Sequence, residues 1–198
     1  MKKISFPLIV LVSMSLLIVA GAYAYSGGKT GKSDTGCGGC HGGSPGPATT
    51  VTISGLPGAY EPGKTYSLTV TVTSTDVPGT DGGFDLSVTA GTLVVTNSTA
   101  TQILDGELVH TSAGSHQRSW SFNWTAPTSG DAIFYVAGLA ADGDGGTDGD
   151  AWATYSTTVP IIPEFPGFTL LLVLAAVTIV VLFLAKKMLP RVTVERKI

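Results

Sequence analysis

Between Tyr66 and Thr73 the chain alternates strictly: Tyr66, Leu68, Val70 and Val72 are apolar, and Ser67, Thr69, Thr71 and Thr73 are not. Trp120, Phe122 and Trp124 alternate in the same way with Ser119, Ser121 and Asn123. A period of two puts one face of an extended segment in a core and the other in water, which defines a half-buried β-strand. Further short runs occur at 51–53, 84–88, 92–95, 107–110, 132–140 and 152–159, separated by Gly, Pro, Asp and Asn. No apolar period of 3.6 appears between Tyr25 and Pro163. About eight short strands of this spacing predict an all-β antiparallel sandwich over residues 49–160, with one core and no second domain.

The two ends have a different texture. Lys2 and Lys3 precede an apolar stretch from Phe6 to Ala20, followed by Ala22-Tyr23-Ala24. A positive start, an apolar core and a small-x-small site predict a secretory signal peptide over residues 1–24, with Tyr25 as the mature start. An uncleaved anchor would export the middle of the chain equally well. Residues 161–167 form a linker into residues 168–185, an 18-residue stretch without a charge. It is apolar on every side and, with Pro166 and Gly167, reaches the roughly 20 residues that a bilayer crossing needs. The tail, 186–198, carries Lys186, Lys187, Arg191, Arg196 and Lys197. That excess predicts a cytoplasmic C-terminus and an external middle, at the outer side of the membrane. From Tyr25 to Phe165 there are four basic residues against thirteen acidic ones, a net charge of −9. Such a segment repels a polyanion, so nucleic acid is excluded as a partner.

Residues 25–48 form a glycine-rich leader whose positions 26–47 hold nine glycines and no aliphatic or aromatic side chain. With nothing apolar to bury, the leader is predicted to be loop. It contains the chain's two cysteines, in Cys37-Gly38-Gly39-Cys40-His41. This is the attachment spacing of c-type haem. Two thiols three positions apart reach the two vinyl groups of one haem edge, and the next side chain, His41, is placed to ligate the iron. The same pair could instead close a small disulfide, act as a redox thiol pair, or supply half of a zinc site. No second cysteine pair exists to complete the last of these.

Met1, Met14 and Met188 all lie in the terminal segments, so a Met/His iron site within the exported part is excluded. The sixth position then falls to His110, to His116, to the new N-terminal amine, or stays open. The leader cannot cover a haem's apolar faces. At roughly 25 cal/mol per Å² their exposure would forgo several kcal/mol. The ring must therefore rest on the sandwich or stack on a second molecule, with an edge near solvent that suits electron transfer.

Asp142, Asp144, Asp148 and Asp150 lie within nine residues on a glycine-rich loop. Hard oxygens so arranged are Ca²⁺ ligand candidates, although the EF-hand spacing is not met and solvated turns have the same composition. Asn97 and Asn123 open N-x-S/T sequons. No nucleophile–base constellation is visible, and no enzyme is predicted.

The blocks Gly58-Ala59-Tyr60-Glu61-Pro62-Gly63-Lys64-Thr65-Tyr66, Gly83-Phe84-Asp85-Leu86, His110-Thr111 and Trp120 to Pro127, followed by Gly130 to Tyr135, resemble a reeler (reelin-like) domain. The cysteines that often staple eukaryotic reeler domains are absent. The CxxCH leader, this domain and a C-terminal anchor together resemble the surface proteins called choice-of-anchor V. Pro163-Glu164-Phe165, the apolar stretch and the basic tail resemble a PEF-type archaeal sorting signal. These resemblances imply a β-sandwich, surface exposure, and cutting near the motif by an archaeosortase-like enzyme with transfer of the ectodomain to another anchor; the alternative is a plain single-pass anchor. The sequence as a whole predicts a surface-anchored, single-haem c-type cytochrome. The alternative is a surface adhesion or ligand-binding module whose CxxC pair is structural or redox-active.

Overall fold

The structure is a computed structural model, and residues 25–162 and 167–188 are described. The expected signal peptide, the Pro-Glu-Phe motif and the tail beyond Met188 lie outside the described residues. Two compact units divide at Ile161–Ile162.

Among the described residues the first unit contains nine strands: β1 (Thr49–Ser54), β2 (Thr65–Ser74), β3 (Gly82–Val88), β4 (Thr92–Val95), β5 (Thr101–Leu104), β6 (Glu107–His110), β7 (Ser119–Thr125), β8 (Ala132–Ala140) and β9 (Ala151–Val159). A four-stranded sheet runs β1-β2-β7-β4, and a five-stranded sheet runs β5-β6-β3-β8-β9. Every strand pair within the sheets is antiparallel. The predicted all-β sandwich is what the chain forms. One strand, β5, is additional to the runs read from the sequence.

The alternating residues behave as their period requires. Leu68, Val70 and Val72 from β2 and Trp120, Phe122 and Trp124 from β7 are buried. They meet Phe84 and Leu86 of β3 and Phe134 and Val136 of β8 in one core. Trp124 meets Phe134 edge-on with ring centroids 5.0 Å apart, and Phe84 lies 4.7 Å from Trp120. The opposite face of the four-stranded sheet is a ladder of cross-strand hydroxyl pairs, including Thr50–Thr73, Thr65–Thr125 and Thr69–Ser121.

β3 departs from simple alternation, because Gly82 to Leu86 are buried without a break. Phe84 and Leu86 face the core, while Asp85 is buried beneath the leader, whose backbone bonds to it. Val109 and Trp152 are likewise buried outside the inter-sheet cluster. The five-stranded sheet is thus covered on both faces, once by the other sheet and once by residues 25–48.

The second unit contains α1 (Gly167–Met188). Its stretch Leu170–Lys187 is long and apolar enough to cross a membrane. The side chains from Leu170 to Lys187 are exposed, and Thr178 hides its hydroxyl by donating to the Leu174 carbonyl at 2.7 Å.

Candidate haem-attachment site

The leader has no regular secondary structure, as its composition predicts, yet it is tied down throughout. Its ties are polar rather than apolar, and they reach across the sheet. Gln102 of β5 donates from Nε2 to the Gly27 carbonyl at 2.6 Å. Asp85 of β3 accepts from the Lys32 and Ser33 amides at 2.7 and 3.0 Å. Glu107 of β6 accepts from the Gly31 amide at 2.5 Å. Three successive backbone donors of the leader are therefore held by two carboxylates of neighbouring strands.

These bonds deliver the CxxCH segment to β9. The amides of Cys40 and His41 both donate to the Cys37 carbonyl, at 3.1 and 3.0 Å, and wind Cys37 to His41 into one tight turn. Trp152 of β9 supplies its floor. The indole Nε1 donates to the Gly42 carbonyl at 3.0 Å, and the ring lies against Gly36 and Gly38. Cβ atoms at these two positions would stand 2.0 and 2.8 Å from ring carbons, so only glycine permits the approach.

Cys37, Cys40 and His41 open onto a cavity of about 240 Å³. Its wall also includes Phe84, Leu139, His110 and His116, with Lys29 and Lys32 among its polar members. Of the four basic residues between Tyr25 and Phe165, two border this one cavity. The two sulfurs are not joined.

The three histidines differ. His41 is held by its Nδ1, which bonds Asp150 Oδ2 at 2.6 Å, with side-chain exposures of only 12% and 3%. His110 is buried, and its Nδ1 lies 3.1 and 3.2 Å from the amide nitrogen and carbonyl oxygen of Phe84. Burial pushes the His110 imidazole below its ordinary pKa, opposed by hydrogen bonds to the Phe84 and Tyr25 backbones. His116 sits in a 3-10 turn, Gly114–His116, and pairs with Asp81 at 3.1 Å while 76% of its side chain stays in solvent.

Cys37 and Asp85 both border the cavity, and the carboxylate disfavours charge on the thiol. Burial, followed by the Asp85 carboxylate, pushes the Cys37 thiol up to about 12. Burial and the neighbouring Glu107 carboxylate hold Asp85 above the usual carboxylate range, against the Lys32 and Ser33 amides. Its Oδ1 is a buried oxygen without a hydrogen-bond partner. Asp85 carried no signal of this role in the sequence beyond its place in an otherwise apolar strand.

The aspartate-rich loop is spread over several tasks. Asp150 faces His41 and also accepts the Asp142 amide at 3.0 Å, while Asp142 and Asp144 accept amides two residues ahead of themselves. Among the described residues, no three His, Cys, Asp or Glu side chains gather as a metal-holding group. Asn97 is exposed in the turn after β4, and its Oδ1 accepts the Thr99 amide. Asn123 is half-buried in β7, accepting from Ser67.

Fold and site together define a two-sheet β-sandwich whose N-terminal leader forms a cysteine–histidine cavity on one sheet. No known family model matches this chain, and no curated protein does. Among solved structures it is similar to the human F-spondin reeler domain, at 18% identity over 60% of this chain and 91% of that one, with a TM-score of 0.44. It is also similar to a cohesin module of a family 33 glycoside hydrolase from Clostridium perfringens, at 13% identity over 59% of this chain and 98% of the other, with a TM-score of 0.42.

Proposed function

We propose that this protein is an exported, membrane-tethered electron carrier with one covalently attached haem c. The observation that carries the reading is the convergence of both thiols of the CxxCH turn, His41 and His110 on one cavity with Phe84 and Leu139 in its wall. A haem so held supplies reversible one-electron chemistry at its iron.

The residues present suit such a group. Cys37 and Cys40 would carry the thioether links, and a thioether is neutral, so the burial that opposes a Cys37 thiolate costs it nothing. That same burial argues against Cys37 as a freely reactive thiolate. His41 would supply the first axial nitrogen and His110 the second. Leu139 offers apolar contact, and Lys29 and Lys32 offer cations to the propionates. The ring would rest against the five-stranded sheet rather than depend on stacking with another molecule. The apolar α1 would tether the carrier to the membrane.

The test is expression of the full chain with a haem-attachment pathway, followed by reduction in alkaline pyridine and intact mass measurement. The expected result is the α-band of a thioether-linked haem and the added mass of one haem, both lost in Cys37→Ser/Cys40→Ser. A colourless wild-type protein at its apo mass overturns the reading and leaves a tethered binding module.

A further inference from the structure

The loop that follows β8 brings a buried carboxylate back to the CxxCH turn, across 109 positions of sequence. Asp150 Oδ2 and His41 Nδ1 are 2.6 Å apart, a charge-assisted separation, and Asp150 Oδ1 is occupied by the Asp142 amide. The carboxylate is thus fixed at both oxygens, once by the backbone of its own loop and once by the imidazole. Arg118 is taken up elsewhere, donating to the carbonyls of Val77, Asp81 and Ala141.

We infer that Asp150 is the positioning residue of the iron-binding imidazole, fixing its tautomer and, by its negative charge, holding the bound iron toward the oxidised form. This rests on the haem reading above. An acceptor at Nδ1 requires the proton there and leaves Nε2 as the free nitrogen. A full carboxylate in that position makes the imidazole a stronger donor, which stabilises the ferric state over the ferrous. The loop composition that suggests a calcium site thus has, at Asp150, a different task.

The experiment compares wild type with Asp150→Asn and Asp150→Glu in the haem-loaded full chain. Asparagine can still accept from Nδ1 but carries no charge. The expected result is normal haem content in Asp150→Asn, with the one-electron equilibrium shifted at least tenfold toward the reduced form, about 59 mV more positive. Asp150→Glu should return most of that shift. An unchanged potential at normal haem content in Asp150→Asn overturns the inference. Nitrogen-15 spectra of His41 in the haem-free Cys37→Ser/Cys40→Ser chain supply a second reading. The Nδ1–H tautomer is expected there, and an Nε2–H tautomer overturns the positioning role. A colourless wild type defeats the haem reading instead, and the tautomer then decides the role of Asp150 by itself.

Discussion

Trp152 fills the space that any side chain at Gly36 would need. A Cβ at Gly36 would stand 2.0 Å from Cζ3 of the indole, and the backbone there has φ +82°. Two penalties therefore meet at one residue, a left-handed backbone and a steric overlap with a buried aromatic. Gly36→Ala should destabilise the protein by about 2–4 kcal/mol and sharply reduce haem loading. Gly31 shares the positive φ, +73°, but has nothing within 4 Å, so Gly31→Ala should cost only about 1–2 kcal/mol. Gly39 has no positive φ and no neighbour closer than 3.9 Å, so Gly39→Ala should be nearly neutral. Urea denaturation of the three variants checks the order, and equal costs would refute the role assigned to Trp152.

His110 and His116 border the same cavity but stand in opposite environments, one buried and hydrogen-bonded to β3, the other largely in water. Immobilising an exposed imidazole as a ligand costs side-chain entropy that a buried, pre-oriented one has already lost. His110→Ala should convert a six-coordinate low-spin spectrum to a high-spin or weaker-field one, whereas His116→Ala should leave it unchanged. Absorption and electron paramagnetic resonance spectra decide the matter. An unaltered spectrum in His110→Ala would release that residue from the role and direct attention to the amine of Tyr25, which also borders the cavity.

Local pattern carried most of the sandwich. Thr92–Val95, Glu107–His110 and Ala132–Ala140 were legible as strands to the residue, because alternation and punctuation by Gly and Asp are properties of neighbours in sequence. β5 was not, since Thr101–Leu104 is four residues long and leaves Ile103 and Leu104 in solvent at the sheet edge. The CxxCH turn was visible as chemistry, but its seat was not. Trp152, Asp85 and Asp150 act on the leader from 52 to 110 positions away. Contacts of that range leave no periodicity in one sequence. The leader shows the same limit. Its lack of apolar side chains correctly predicted loop, but hid that its amides are the cover and lock of a sheet face.

The chain divides at Ile161–Ile162, so the apolar helix α1, the proposed tether, can be removed without cutting into the sandwich. On the proposed reading, stopping the chain before Gly167 should convert a membrane-bound protein into a freely soluble one that retains its thermal transition and its haem loading. Carbonate extraction of membranes from cells expressing each form checks this. Retention of the shortened form in the membrane pellet would assign the attachment to another part of the chain.

The Asp85 carboxyl offers a pH test that depends on the docking of the leader alone. In the unfolded chain this group titrates near 3.8, and in the folded protein burial and Glu107 raise it to about 7. Between these values the folded state holds a proton that the unfolded state has released. Stability contributed by Asp85 is therefore fully present below about pH 4 and is lost as pH rises toward 7, the opposite of the usual carboxylate trend. Asp85→Asn removes the titration while its side-chain oxygen can still accept from the Lys32 and Ser33 amides. Other carboxylates titrate in both proteins, so the informative quantity is the difference between the two stability profiles. Denaturation midpoints from pH 4 to 8 should show the variant gaining on wild type as pH rises and levelling above about 7. Parallel profiles would mean that Asp85 ionises without penalty, and that the leader does not seal it from water.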